Sequence, residues 1–136
     1  MKQKTYEGRS AFDFSRQASS YHRSIGKILI RNYGANNLKQ EVPFAGQFID
    51  WLLTTNDGIR IAIEVHGEHH YRTVDYGGSN PWKSLERYEN RKFLDRKKRT
   101  ALLKDGISYV EIPFQKAEDE KWVVEKIDQA IKEARE

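Results

Sequence analysis

Asp50 and Glu64 stand inside two apolar, alternating runs, FIDWLL and RIAIEVH, where a carboxylate is costly to bury. Between the runs, TTNDG carries the turn chemistry of a hairpin, since Asn, Asp and Gly accept the backbone angles that tight loops demand. Folding about Asp57 sets position 50 across from position 64, so the two carboxylates meet on one face. Facing carboxylates repel, and burial without a partner costs several kcal/mol or forces protonation. A hard divalent cation relieves both problems. Mg2+ takes a few carboxylate oxygens, keeps its waters and polarises one for attack on phosphorus. The competing account is an ion pair between either carboxylate and a nearby Arg or Lys. His66 shares the strand face of Glu64, where an imidazole can take a proton from water or return one to a leaving oxygen. His66, His69 and His70 also invite a zinc site, but their spacing is not that of the helical His-Glu-x-x-His motif.

The elements that must hold these residues are those of an α/β domain. From Ser19 or Ser20 as N-cap, YHRSIGKILIRNYG puts Tyr21, Ile25, Ile28 and Leu29 on one helical face and stops at Gly34. NNLKQEVPF is a connection or a short edge strand, where Pro43 argues against a central place. In the next strand Phe48, Asp50 and Leu52 share one face, and Ile49, Trp51 and Leu53 the other. The return strand places Ile61, Ile63 and Val65 opposite to Ala62, Glu64 and His66. GEHHYRTVDYGGSNPW is a loop, followed by a helix over Lys83 to Lys104 that ends at Gly106. ISYVEIPF is a third strand, parallel to the second because a crossover helix joins them. The tail from Glu118 is an amphipathic helix with Trp122, Val123, Ile127 and Ile131 at helical spacing. The length suits one domain over residues 1–136, with a loosely packed N-terminal arm over residues 1–18.

Charge points to a partner. The excess of Lys and Arg over Asp and Glu is modest, 24 against 20, but the cations cluster. Arg87, Arg91, Lys92, Arg96, Lys97, Lys98 and Arg99 share the long helix and suit a polyanion such as double-stranded DNA; the alternative is a solvated helix face. On that helix Tyr88, Arg91, Asp95, Lys98 or Arg99, and Leu102 follow one stripe, which Leu94 and Ala101 widen, so the stripe should face the protein. A surface ladder from Arg91 through Asp95 to Arg99 is the competing account. Cysteine is absent, which excludes a disulfide framework and a thiolate metal site. No apolar run reaches the ~20 residues that cross a bilayer, and the start MKQKTYEGRS lacks a signal peptide's apolar core, so a cytoplasmic protein is expected.

Asp50 followed by Glu64-Val65-His66 resembles the PD-(D/E)xK nuclease signature with His in the place of Lys. The likeness is closer to the very short patch repair endonucleases and the related EDxHD homing endonucleases. Their order of a D strand, a strand end of xHG type, a His-rich loop and a helix with an Asp-Arg segment is similar to FID, VHGEHHY and NRKFLDRKKR here. The resemblance implies a restriction-endonuclease-like mixed β-sheet flanked by helices, and Mg2+ or another divalent cation as cofactor. It implies Asp50, Glu64, His66, His70 and Asp95 as catalytic residues, with Asp50, Glu64 and the Val65 carbonyl at the metal. The implied reaction is hydrolysis of DNA phosphodiester bonds by a homing, mismatch or nicking enzyme; a catalytically inactive DNA-binding module of the same fold is the alternative. One position departs from the pattern. The family carries a Glu in the first helix where Ser24 stands here, so Glu64 or Glu41 would have to serve instead.

Overall fold

The computed structural model describes residues 6–12, 19–67 and 81–136. Its sheet runs β1 (Arg9–Ser10), β2 (Leu38–Phe44), β3 (Gln47–Thr54), β4 (Arg60–His66) and β5 (Ser108–Pro113) in spatial order. Neighbours are antiparallel except β4 and β5, which are parallel. Helices α1 (Ser20–Tyr33), α2 (Pro81–Lys104) and α3 (Glu120–Arg135) flank the sheet, which gives the expected α/β fold.

The sheet separates two cores. On one side Ile25, Ile28 and Leu29 of α1 and Val123, Ile127 and Ile131 of α3 pack on Trp51, Leu53, Ile61, Ile63 and Ile112. On the other, Leu102 of α2 joins Val42, Phe44, Ile49, Leu52, Ala62 and Ile107. Local chemistry sets the helix ends. The Ser19 hydroxyl accepts from the His22 N–H at 3.1 Å, and Gly34 with φ 85° closes α1. Pro81 opens α2 two residues before the expected start, a position whose missing N–H is no loss.

Four sequence expectations need correction. Residues 6–12 of the segment read as a loose arm dock instead: β1 pairs with β2, Tyr6 and Ala11 are buried, and the Tyr6 hydroxyl donates to Asp105 at 2.6 Å. A two-residue strand carries no period, so nothing local announced it. NNLKQEVPF, read as a connection or a short edge strand, holds the seven-residue β2 between β1 and β3 after a 3-10 turn over Ala35–Asn37; Pro43 is tolerated because it lies past the short β1, facing no partner strand there. Ile49 does not join Trp51 and Leu53 but packs on the α2 side. The β2–β3 pairing runs from Leu38↔Leu53 to Gln40↔Trp51 and resumes at Val42↔Ile49; at the skipped step Glu41 has φ 50°. That left-handed residue turns β2 over, so Leu38 belongs to one core while Val42 and Phe44 belong to the other. Finally, Tyr21 and Leu94 are exposed, because the buried arcs of their helices are narrower than the spacing implied.

A buried polar node pins these parts together. Gln40, fully buried, accepts from the His22 ring Nε2–H at 2.8 Å and donates to the Ser10 carbonyl at 2.7 Å. The His22 ring stacks on Trp51 at 5.0 Å, and the Trp51 indole donates to the His22 carbonyl at 3.2 Å. Gln40→Leu keeps the volume but strands a ring N–H and a carbonyl, so urea unfolding should report a loss of about 2 kcal/mol. An unchanged midpoint would show that β1 and α1 are held by apolar contact alone.

Candidate active site

The site grows from the hairpin of β3 and β4. Their register, Trp51↔Ile63 through Thr54↔Arg60, continued by one step sets Asp50 opposite Glu64, as the alternation implies. The carboxylates engage reciprocally. Asp50 Oδ2 accepts from the Val65 backbone N–H at 2.9 Å, and Glu64 Oε2 accepts from the Asp50 N–H at 3.3 Å. Asp50 lies at the step where Glu41 breaks the regular ladder, so a side chain takes up a backbone donor there.

Helix α2 supplies the counter-charge. Lys98 donates to Glu64 Oε1 at 2.6 Å and to the Phe48 carbonyl at 2.7 Å, with side chains 12% and 4% exposed for Lys98 and Glu64. The ion-pair account therefore holds for Glu64, while Asp50 takes the Val65 backbone N–H and lies in side-chain hydrogen-bond contact with Glu64. Burial, then the charge of Asp50, push the Glu64 carboxyl well above the ordinary range, and Lys98 opposes them.

The row of acids extends into β5. Glu64 pairs with Glu111 in the parallel register, so Asp50, Glu64 and Glu111 follow one another across adjacent strands. His66, buried, is held at both nitrogens: Nδ1 donates to Glu111 Oε1 at 2.7 Å, and Nε2 meets the Tyr109 hydroxyl at 2.9 Å. Arg99 covers the Tyr109 ring, its guanidinium 5.4 Å from the centroid. Burial, then Glu64 and Glu111, push the Tyr109 phenol above its ordinary range, so it stays a hydroxyl. Glu111 and Tyr109 escaped the sequence reading. The signal was available in ISYVEIP, because alternation in a strand beside β4 puts Tyr109 and Glu111 on one face, but the register was needed to meet His66.

Other expected site residues scatter. Asp95 is half-buried on α2, close enough to Tyr109 for its charge to act on the phenol. Arg91, Arg96, Lys97 and Arg99 are exposed and Lys92 is half-buried, while Lys98 turns inward and is no surface contact. Arg96 and Lys97 line a shallow groove with Phe93, Thr100, Ala101 and Lys104. Ser24 is half-buried on α1, and Glu41 pairs with Arg9 at 2.7 Å, so Glu64 is the glutamate beside Asp50. His69, His70 and the side chain of Arg87 lie outside the described residues, and with them the zinc account. Among the described residues no three His, Asp or Glu side chains form a ready metal cluster. Asp50 and Glu64 could offer carboxylate oxygens, and Val65 its carbonyl, to a hard cation, while in this structure Lys98 and backbone N–H groups engage those carboxylates. No helix among the described residues is long and apolar enough to cross a membrane.

Lys98→Met removes the one described cation that contacts Glu64, and breaking a buried pair this way costs about 3–5 kcal/mol. The loss should depend on pH. A carboxyl whose folded pKa lies above its unfolded one binds extra protons when folded, so its stability is present at acid pH and lost as pH rises through the folded value. Without Lys98 only the raising influences remain, so metal-free Lys98→Met should lose more stability against wild type at about pH 8 than at about pH 5. Equal deficits in urea melts at the two pH values would remove Lys98 as the counter-charge.

No family model, curated protein or solved structure matches this chain, so the chemistry of the cluster rests on its own atoms.

Proposed function

We propose that this chain is a divalent-metal-dependent DNA endonuclease. The observation that carries the reading is the meeting of Asp50 and Glu64 around Val65, beside a buried imidazole and below a helix rich in exposed cations. Bound Mg2+, held by the Asp50 and Glu64 carboxylates and the Val65 carbonyl, would polarise a phosphoryl oxygen and lower the pKa of a water. The chain's own residues do the rest. Arg91, Arg96, Lys97 and Arg99 offer exposed charge to the phosphate backbone, which supplies affinity without reading sequence. His66 takes the proton from the attacking water as its oxygen bonds to phosphorus and the ester oxygen leaves to be protonated by solvent. Asp95 is proposed to support this group from α2, and His70, outside the described residues, to act on the water or the leaving group.

A second reading, a DNA-binding module without catalysis, is favoured by the Lys98 contact, which engages the Glu64 oxygen that a metal would use. Supercoiled plasmid separates the two. The nuclease reading expects nicked or linear product with Mg2+ and none with chelator, whereas the module reading expects retarded plasmid and no cut in either.

Two outcomes follow from the assignments. Asp50→Asn keeps the shape and removes the charge, so cutting should fall by at least a hundredfold while DNA binding persists or tightens. A folded variant that cuts at the wild-type rate would end the metal assignment. Affinity for duplex DNA should also decline steeply with added salt, as counterion release requires, and fluorescence anisotropy across a salt series measures the slope. A flat series would take DNA out of the proposal.

A further inference from the structure

His66 is the only imidazole among the described residues that lies on the acidic face, and two side chains from β5 decide which of its nitrogens carries hydrogen. Glu111 is a carboxylate and can only accept, so at 2.7 Å it demands an N–H on Nδ1. The neutral ring then has its lone pair on Nε2, where the Tyr109 hydroxyl donates at 2.9 Å. Tyr109 is suited to this because its environment keeps the phenol protonated, and Arg99 holds the ring from α2. Both partners sit on the strand that runs parallel to β4, with Ala62↔Tyr109 and Glu64↔Glu111, so the ring is clamped from one side by adjacent backbone. His66 is only 5% exposed at its side chain, whereas Glu111 reaches 35%, so the orienting carboxylate keeps a wet edge.

We propose that Glu111 and Tyr109 are positioning residues for His66: Glu111 fixes the Nδ1–H tautomer and so reserves the Nε2 lone pair, which Tyr109 occupies in the DNA-free protein. This rests on the nuclease reading for its use, because the reserved lone pair is the one that takes the proton. In the cutting step the Tyr109 hydroxyl gives way to the attacking water. The water's O–H bond breaks, an Nε2–H bond forms, and Glu111 stabilises the imidazolium that results without itself taking the proton. The other tautomer would present an N–H to the water and could take nothing from it.

The tautomer is observable without any activity. In protein labelled with 15N at histidine, the ring shifts of His66, assigned by His66→Gln, should show Nδ1 protonated and Nε2 bare at roughly pH 8, where an ordinary imidazole is neutral. Tyr109→Phe should leave that pattern in place. Glu111→Leu should move the population toward Nε2–H and slow plasmid nicking by about tenfold to a hundredfold with DNA affinity unchanged, the range for loss of an orienting partner. The inference is overturned if wild-type His66 carries its hydrogen on Nε2, if both nitrogens are protonated, or if Glu111→Leu leaves the shifts as in wild type. It is also overturned if Tyr109→Phe, rather than Glu111→Leu, switches the tautomer. Expected shifts in a wild type that never cuts plasmid would uphold the positioning and fail the nuclease reading instead.

Discussion

The reciprocal grip of Asp50 and Glu64 across the hairpin is the constraint on which the rest of the molecule turns. Each carboxylate accepts from backbone of the strand opposite, Asp50 from Val65 and Glu64 from Asp50 itself. These bonds keep two like charges within one strand spacing of each other, an arrangement that water would dissolve and an apolar core would neutralise. The fold answers with a third partner from elsewhere in sequence. Lys98 can reach Glu64 only if α2 crosses this face with the right phase, and burial of Leu102 one turn on provides it.

The two cores have separate duties in that arrangement. The core beneath α1 and α3 is aliphatic and continuous, with Trp51 as its largest buried side chain, and it holds β3 and β4 flat against each other. The core beneath α2 is smaller, and N-terminal to Leu102 the described contacts of the helix with the sheet include Lys98 on Glu64 and the Arg99 guanidinium over Tyr109. The switch of β2 at Glu41 links the two. By passing from one layer to the other beside Asp50, the strand leaves a backbone position where the regular ladder is interrupted, and the acidic pair occupies it.

What the sequence made legible follows from how local each determinant is. The hairpin register could be read because a short turn and period-two alternation together specify it, and the structure keeps position 50 across from 64. Helix α1 was legible from its caps and apolar spacing, and α3 from apolar spacing alone. The face of Ile49 was not, since the left-handed backbone at Glu41 has no glycine to announce it. Nor was the choice of Lys98 over its basic neighbours, because helix phase within a run of cations has little apolar patterning to set it. Tyr109 and Glu111 were hidden for a third reason. The register of parallel strands is fixed by a distant crossover rather than by a turn, so their meeting with His66 is a tertiary fact.

The charged face also bears on what the molecule is for. A fold that needed only stability would do better with apolar side chains at 50, 64 and 98, because replacing buried ion pairs by well-packed hydrophobes is commonly neutral or stabilising. Here three acids stand in a row across β3, β4 and β5, one lysine answers the most buried of them, and a histidine is tied to another. Glu64 is displaced toward its neutral form, first by burial and then by the charge of Asp50, and Lys98 opposes both. Arg91, Arg96, Lys97 and Arg99 stay exposed on the same helix that sends Lys98 inward, so α2 divides its cations between the buried acids and solvent.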